Sequence, residues 1–318
     1  MSKINEDTII SKDVIILGSG PAGLTAALYT SRAYLSSLIL TGITLHGQAG
    51  STDIIENYPG FPNGVGGSEL GQLFQSQAER FGAEVVMDQA ISVDLQKYPF
   101  MVRTYSSTYA AKSIIISTGA THKKLNVPGE KEFTGRGVSY CGTCDGWFFK
   151  DKDVMVVGGG DSALEEGIFL TRFAKSVTII HRRDKLRAGA FLQKRAFANP
   201  KISFIWNSVV TEIVRDDSLQ AVKLKDVITN EENLVFIDGV FISIGNEPNR
   251  QLFEGQLELD EEGYINVNRF METSVPGVFA AGEIADPHFR QVITSAGMGA
   301  AAGIQATRFL EDLECDGS

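Results

Sequence analysis

The chain has 318 residues, 43% of them hydrophobic, which is enough for a sizeable core and long enough for two domains rather than one. With 39 acidic against 29 basic residues the net charge is −10, which repels phosphate backbones and argues against a nucleic-acid partner. There is no uncharged apolar run of about 18 residues to span a membrane, Met1 to Lys12 lack the apolar core of a signal peptide, and three cysteines are too few for a disulfide framework, so a soluble cytoplasmic protein is expected.

The first element is Asp13-Val14-Ile15-Ile16-Leu17, too short and too β-branched for a helix, and it reads as a buried parallel strand. It runs into G-S-G-P-A-G, Gly18 to Gly23, and then an alanine-rich helix beginning L-T-A-A-L-Y. A G-x-G-x-x-G between strand and helix lets the backbone approach a pyrophosphate, and the helix N-terminus offers it free N–H groups. Gly18, Ser19, Gly20, Pro21, Ala22 and Gly23 are therefore candidate dinucleotide-binding residues; the competing reading is a glycine-rich turn with no ligand. The next strand, Leu38-Ile39-Leu40, ends in Thr41-Gly42 with no carboxylate for a ribose hydroxyl. Spacing alone does not assign that site its ligand.

A third apolar strand, Ile114 to Gly119, is followed by the polar, proline-containing A-T-H-K-K-L-N-V-P-G, which suits a domain crossing. Beyond it stands C-G-T-C-D-G, Cys141 to Gly146. Zinc needs four ligands, and the only other candidates are Cys315 and the scattered His46, His122, His181 and His288, so no metal site is expected. A structural disulfide closing so small a loop would gain little. A redox couple fits the pair better, with Asp145 next to it to take up or deliver the proton of thiol-disulfide exchange. The alternative for Asp145 is a solvated turn carboxylate.

Asp153 to Val157 repeats the strand pattern, followed by G-G-G-D-S-A, Gly158 to Ala163, and a helix expected through about Ala174. The next strand, Ser176 to Ile180, leads into H-R-R-D-K-L-R. Where an acid would hold a ribose 2′-hydroxyl stand Arg182 and Arg183, with Arg187 expected one helical turn further on. Guanidinium groups grip phosphate bidentately, so this site suits the 2′-phosphate of NADPH, against the alternative of a solvated basic face.

Val240 to Gly245 is another apolar strand ending in glycine, and N-E-P-N-R after it reads as a second crossing. The middle of the chain is thus expected to be an inserted domain, residues 120–246, with the first domain made of 1–119 and 247–318. Near the end, G-V-F-A-A-G-E puts Glu283 directly after Gly282 at a strand end, well placed for a cofactor hydroxyl. NADPH delivers a hydride, whereas a disulfide takes its electrons through sulfur. A flavin mediates between them, so the first site is assigned to FAD on chemical grounds.

Together these pieces resemble the low-molecular-weight, bacterial-type thioredoxin reductases of the pyridine nucleotide-disulfide oxidoreductase family. The resemblance runs from about Lys12 to Leu313 through G-S-G-P-A-G-L-T-A-A-L-Y, E-N-Y-P-G-F-P, S-T-G-A-T, C-G-T-C-D-G, G-G-G-D-S-A-L-E-E, H-R-R-D-K-L-R-A, I-G-N-E-P-N and G-V-F-A-A-G-E with F-R-Q-V-I-T-S-A-G. It implies an α/β fold of two doubly wound Rossmann-like domains, the FAD domain discontinuous around an inserted NADPH domain, in a homodimer. FAD would be held by Gly18, Ser19, Gly20, Ala22, Gln48, Asn57, Glu283, Arg290 and Gln291. NADPH would be held by Gly160, Asp161, Ser162, His181, Arg182, Arg183 and Arg187. The resemblance also implies that Cys144 faces the flavin, that Cys141 meets the disulfide of thioredoxin, and that Asp145 is the acid/base. Family members are thought to rotate one domain against the other, which places a hinge near Thr121 and Glu247.

The chain departs from the family pattern at four places. Glu283 stands where Asp is usual, and Ala49-Gly50-Ser51-Thr52, between Gln48 and Asp53, replaces a threonine-rich run. Gly142 stands where Ala is common and is expected to loosen the loop. Cys315 is alone and is expected to be an exposed bystander. Two other readings compete: a reductase of another thioredoxin-like dithiol protein, and a non-catalytic NADPH sensor, which would have no reason to keep Cys141, Cys144 and Asp145.

Overall fold

The computed structural model describes residues 9–316, apart from 53 and 216–219. The expectations for the extreme N-terminus and for Asp53 therefore fall partly outside the described residues. The chain divides into two units, one of them residues up to Thr121 together with those from Glu247 on, the other His122–Asn246.

The first unit is built on β1 (Ile9–Leu17), which is flanked on both sides by parallel strands and so carries apolar residues on both faces. The glycine turn leads into α1 (Pro21–Arg32), whose first position is a proline that has no N–H to leave unsatisfied. Then come β2 (Ser37–Leu40), α2 (Gly67–Arg80), β3 (Glu84–Val86), and the antiparallel run β4 (Ala90–Asp94), β5 (Phe100–Thr104) and β6 (Thr108–Ile116). The sheet order is β3-β2-β1-β6-β5-β4. Strand alternation sends Ile15 and Leu17 to one face, with Phe253 and Ile284, and Val14 and Ile16 to the other, with Leu24, Ala26 and Ala302. Each fully buried Val, Ile, Leu or Phe among them is worth about 1.5–3 kcal/mol, so the turn after β1 hangs from a rigid support.

The first crossing is β7 (Ala120–His122). The second unit follows with α3 (Glu130–Phe133), β8 (Val138–Ser139), α4 (Gly142–Asp145), β9 (Asp153–Val157), α5 (Asp161–Leu170), β10 (Ser176–Ile180), α6 (Ala190–Phe197) and β11 (Ile202–Ile205). An antiparallel sheet of β12 (Ser208–Arg215), β13 (Gln220–Asp226) and β14 (Glu232–Phe236) precedes β15 (Gly239–Ile242). The parallel sheet runs β11-β10-β9-β15-β8, with Val154, Val156 and Ile179 packed under α5 and Met155, Val157 and Ile180 toward the antiparallel sheet. The return crossing β16 (Asn246–Pro248) pairs with β7. The chain then adds β17 (Val278–Ala280) beside β6 and ends in α7 (Val292–Asp316).

Two expectations need correction. The helix after Gly160 ends at Leu170 rather than near Ala174. Arg172 and Phe173 close tighter turns onto Phe169 and Leu170, and Lys201 Nζ takes the carbonyls of Thr171 and Ala174 at 2.9 and 2.8 Å. Arg187 is not a helical turn beyond Arg183, because residues 182–189 form a loop and α6 starts only at Ala190.

Candidate active site

β8 delivers the chain to Cys141, which is extended at the entrance of α4 and disulfide-bonded to Cys144, with the Cα atoms 5.3 Å apart. Buried Ser139 organises the turn. Its hydroxyl accepts the Cys141 N–H at 3.1 Å and donates to Asp145 Oδ2 at 2.6 Å. The Cys141 carbonyl accepts the N–H groups of Cys144 and Asp145 at 3.3 and 3.0 Å. Tyr140, just before Cys141, donates its hydroxyl to buried Glu130 at 2.8 Å, and burial together with that carboxylate pushes the phenol up to about 12. Sequence reasoning thus found the cysteines and Asp145 but missed Ser139, which only the V-S-Y lead-in could have suggested.

At Gly142, where the sequence leads to the expectation of a looser loop, the structure shows a specific contact. The Gly142 backbone is helical and its φ is not positive, so glycine is not needed there for conformation. A Cβ at 142 would sit 2.7 Å from Glu166 Cγ, and Glu166 Oε1 accepts the Gly142 N–H. Glutamate fills the space that an alanine methyl would take.

The second glycine turn leaves β9 at Gly158 and packs Gly159 against His181, where a side chain at 159 would lie 2.2 Å from Nδ1. Arg187 and Ala188 return their N–H groups to the Gly159 carbonyl at 2.7 and 3.3 Å, and Gly189 donates to Asp161 Oδ1 at 2.6 Å. These bonds wrap the loop of Arg182, Arg183 and Arg187, all exposed, around the N-terminal end of α5, where Gly160, Asp161 and Ser162 stand. A side chain at Gly160 would point toward Arg187 Nη2, 3.9 Å away. His181 is 5% exposed, and among the described residues its Nε2 has no hydrogen-bond partner. Burial lowers its ionisation below the usual histidine range, the charges of Arg187, Arg183 and Arg182 push the same way, and the Lys185 backbone bond opposes them. A buried ring nitrogen in search of a partner, beside three guanidinium groups and a helix N-terminus, fits a phosphate-bearing nucleotide.

In the first unit Gly18 has φ +112°, and a Cβ there would lie 2.3 Å from the Ser117 carbonyl oxygen, so only glycine fits. Gly20, by contrast, has nothing within 4 Å of where a Cβ would be, which leaves room for a ligand over the start of α1. Pro21, Ala22 and Gly23 form its first turn, and Gly282 lies against Ala22. Buried Ser19 accepts the His46 N–H at 3.2 Å, a contact of the glycine turn that the sequence did not reveal. Gln48 Nε2 donates to Glu283 Oε2 at 2.8 Å and to the Ala120 carbonyl. Burial raises the Glu283 carboxyl to about 7; nearby Arg290 opposes the rise and Asp286 reinforces it. Asn57 Nδ2 donates to Gln291 Oε1 at 3.0 Å. Residues predicted from distant stretches are thus adjacent in three groups: the glycine turn with Gly282, Gln48 with Glu283 and Arg290, and Asn57 with Gln291. In place of the threonine-rich run, Ala49–Ser51 forms a 3-10 turn whose Ser51 hydroxyl bonds back to Gln48 O at 2.8 Å. Cys315 is exposed on α7, outside the disulfide.

The sequence model of the family described as pyridine nucleotide-disulphide oxidoreductase matches residues 12–299. The thioredoxin reductase of Streptomyces coelicolor is 50% identical over 305 residues, 95% of each chain, and that of Bacillus subtilis is 49% identical over 303 residues, 95% of this chain and 96% of the relative. The crystal structure of thioredoxin reductase from Streptococcus pyogenes, 44% identical, superposes with a TM-score of 0.88 over 96% of this chain and 100% of that one.

Proposed function

The chain belongs to the pyridine nucleotide-disulphide oxidoreductase family, and we propose that it carries two electrons from NADPH, by way of FAD and the Cys141–Cys144 pair, to the disulfide of a thioredoxin. It is a thioredoxin reductase by kinship along nearly its whole length, and that kinship implies a flavin and a pyridine nucleotide as cofactors. The single observation that carries the finer reading is that one unit holds both the Cys141–Cys144 disulfide and the arginine loop closed on Gly159.

In this reading unit 122–246 is the NADPH domain. Arg182, Arg183 and Arg187 hold the 2′-phosphate, His181 Nε2 accepts a hydroxyl of the adjoining ribose, and Gly160, Asp161 and Ser162 form the pyrophosphate turn. The discontinuous unit is the FAD domain, with Gly18 to Gly23 at the pyrophosphate and Gln48, Asn57, Gly282, Glu283, Arg290 and Gln291 along the rest of the nucleotide. When bound, the two cofactors supply a hydride donor and a carrier that passes its electron pair on to sulfur.

The protein's own groups do the rest. Reduction of Cys141–Cys144 yields a thiol and a thiolate and takes up one proton. The Cys141 thiolate attacks one sulfur of the partner's disulfide, forming a mixed disulfide and releasing the partner's other sulfur as a thiolate, which is then protonated. Cys144 in turn attacks Cys141 Sγ, which re-forms the internal disulfide and releases the partner as a dithiol. Asp145, pinned by Ser139, exchanges the protons these steps need. We place the hinge at the paired crossings Ala120–His122 and Asn246–Pro248, and we expect a homodimer in the cytoplasm. Among the described residues no helix is long and apolar enough to cross a membrane.

The test is NADPH oxidation with and without candidate thioredoxins, for wild type and Cys141→Ser. The variant should lose thioredoxin reduction and keep reduction of its flavin. Full disulfide reduction by the variant would sink the reading, and activity only with another dithiol protein would reassign the partner.

A further inference from the structure

We propose that Glu166 is a positioning residue for the redox pair, and that its charge, held against the entrance of the dithiol turn, keeps the reduced pair a strong electron donor. The inference rests on the reading of Cys141 and Cys144 as a redox couple.

Glu166 lies on α5, an element that otherwise serves the nucleotide turn, and its carboxylate reaches α4 to accept the N–H of Gly142, the residue after Cys141. The approach is possible because residue 142 lacks a side chain: a Cβ there would be 2.7 Å from Glu166 Cγ and 3.0 Å from Oε1. The glycine therefore serves the carboxylate rather than the backbone.

The consequence follows from charge. Reduction of the disulfide consumes two electrons and one proton and leaves one thiol and one thiolate, and a thiolate at the mouth of a helical turn is ordinarily stabilised by the turn's free N–H groups. Here the first such N–H is committed to a carboxylate, whose negative charge also opposes the thiolate on the neighbouring residue. Whatever destabilises the reduced, anionic form makes the couple more reducing.

Two further carboxylates stand at the turn. Asp145 lies within it, tied to Ser139, and Glu130 reaches it through Tyr140. Along α5, Asp161 is bonded to the Gly189 N–H and Glu165 is exposed. The cations that follow the turn in sequence, Lys150 and Lys152, lie over the rings of Trp147 and Phe149.

The experiment uses the flavin-loaded, full-length protein, reduced under anaerobic conditions. It measures the rate of Cys141 alkylation by iodoacetamide, located by peptide mass, from about pH 5 to about pH 10. It also measures the dithiol–disulfide equilibrium against dithiothreitol. Glu166→Gln keeps the acceptor oxygen and removes the charge. It should lower the alkylation midpoint by about one pH unit and move the equilibrium about tenfold toward the dithiol, about 30 mV for a two-electron couple. Gly142→Ala, which displaces the carboxylate, should shift both in the same direction in wild type and add nothing to Glu166→Gln. Superimposable profiles and equilibria for wild type and Glu166→Gln overturn the proposal, as does a shift of opposite sign or strict additivity of the two substitutions. No thioredoxin enters these measurements, so failure to reduce thioredoxin would sink the proposed substrate and leave this inference standing.

Discussion

Gln48 and Glu283 stand 235 positions apart in the chain, yet the amide Nε2 of one donates to the carboxylate Oε2 of the other at 2.8 Å. The bond joins the loop after β2 to the turn after β17, so the candidate flavin site exists only once both ends of the discontinuous unit have come together.

The same carboxylate makes stability depend on pH. Burial raises Glu283 from the ordinary 4.5 to about 7, so the folded protein holds this proton more tightly than the unfolded chain does. Its contribution is fully present below about pH 4.5 and is lost as pH rises through about 7. Glu283→Gln does not titrate. Between about pH 5 and about pH 8 the variant should gain about 2–3 kcal/mol of unfolding free energy relative to wild type. Urea titrations of both proteins, stripped of cofactor, measure this, and parallel behaviour across that range would mean that the carboxyl titrates normally.

The arginine loop makes a prediction about cofactor choice. Charge-assisted bonds to phosphate are worth about 1.5–3 kcal/mol each. Arg182→Ala with Arg183→Ala should therefore raise the KM for NADPH by about 100-fold or more while leaving kcat and the KM for NADH within about threefold. Steady-state kinetics with both nucleotides decide the matter. An equal loss with NADH would mean that the arginines support the fold rather than read the 2′-phosphate.

At Gly18 the prediction is steric. Alanine there must adopt φ +112° and place its Cβ 2.3 Å from the Ser117 carbonyl oxygen. The conformational cost alone is about 1–3 kcal/mol, and the clash adds to it. Gly18→Ala should lower Tm by several degrees and purify with little flavin, measured as the ratio of flavin to protein absorbance. A variant with full flavin content would show that the turn has more freedom than its backbone suggests.

What was legible in the sequence was what burial writes locally. Asp153–Val157 and Ser176–Ile180 were read with their observed bounds because each is a short, β-branched, mainly apolar stretch whose Val and Ile side chains are buried. The helix after Gly160 was read too long because Phe173 and Ala174 keep the apolar rhythm although Lys201, far along the chain, caps the helix earlier. Arg187 was read onto a helix because nothing between 183 and 187 reveals that its N–H returns to Gly159. The contact of Gly142 with Glu166 was not read because the side chain that fills its space stands 24 residues away. In each case the missing information was a contact between distant residues, which no local pattern encodes.

Ser139 is the other residue that sequence reasoning passed over, and its role yields the last prediction. Its buried hydroxyl lies 2.6 Å from Asp145 Oδ2 and 3.1 Å from the Cys141 nitrogen, so a single group orients both the carboxylate proposed as acid/base and the backbone that carries the sulfur proposed to attack. Ser139→Ala removes both bonds from a site 4% exposed and should cost about 1–3 kcal/mol of stability. The functional consequence should be unequal. Reduction of the flavin by NADPH, followed as loss of yellow colour in a stopped-flow instrument, does not involve Asp145 and should keep its rate. Disulfide exchange with thioredoxin should slow about tenfold or more, because proton transfer by a poorly held carboxylate forfeits part of the 10²–10⁴-fold that such catalysis typically contributes. Equal slowing of both half-reactions would assign Ser139 to the fold of the unit alone.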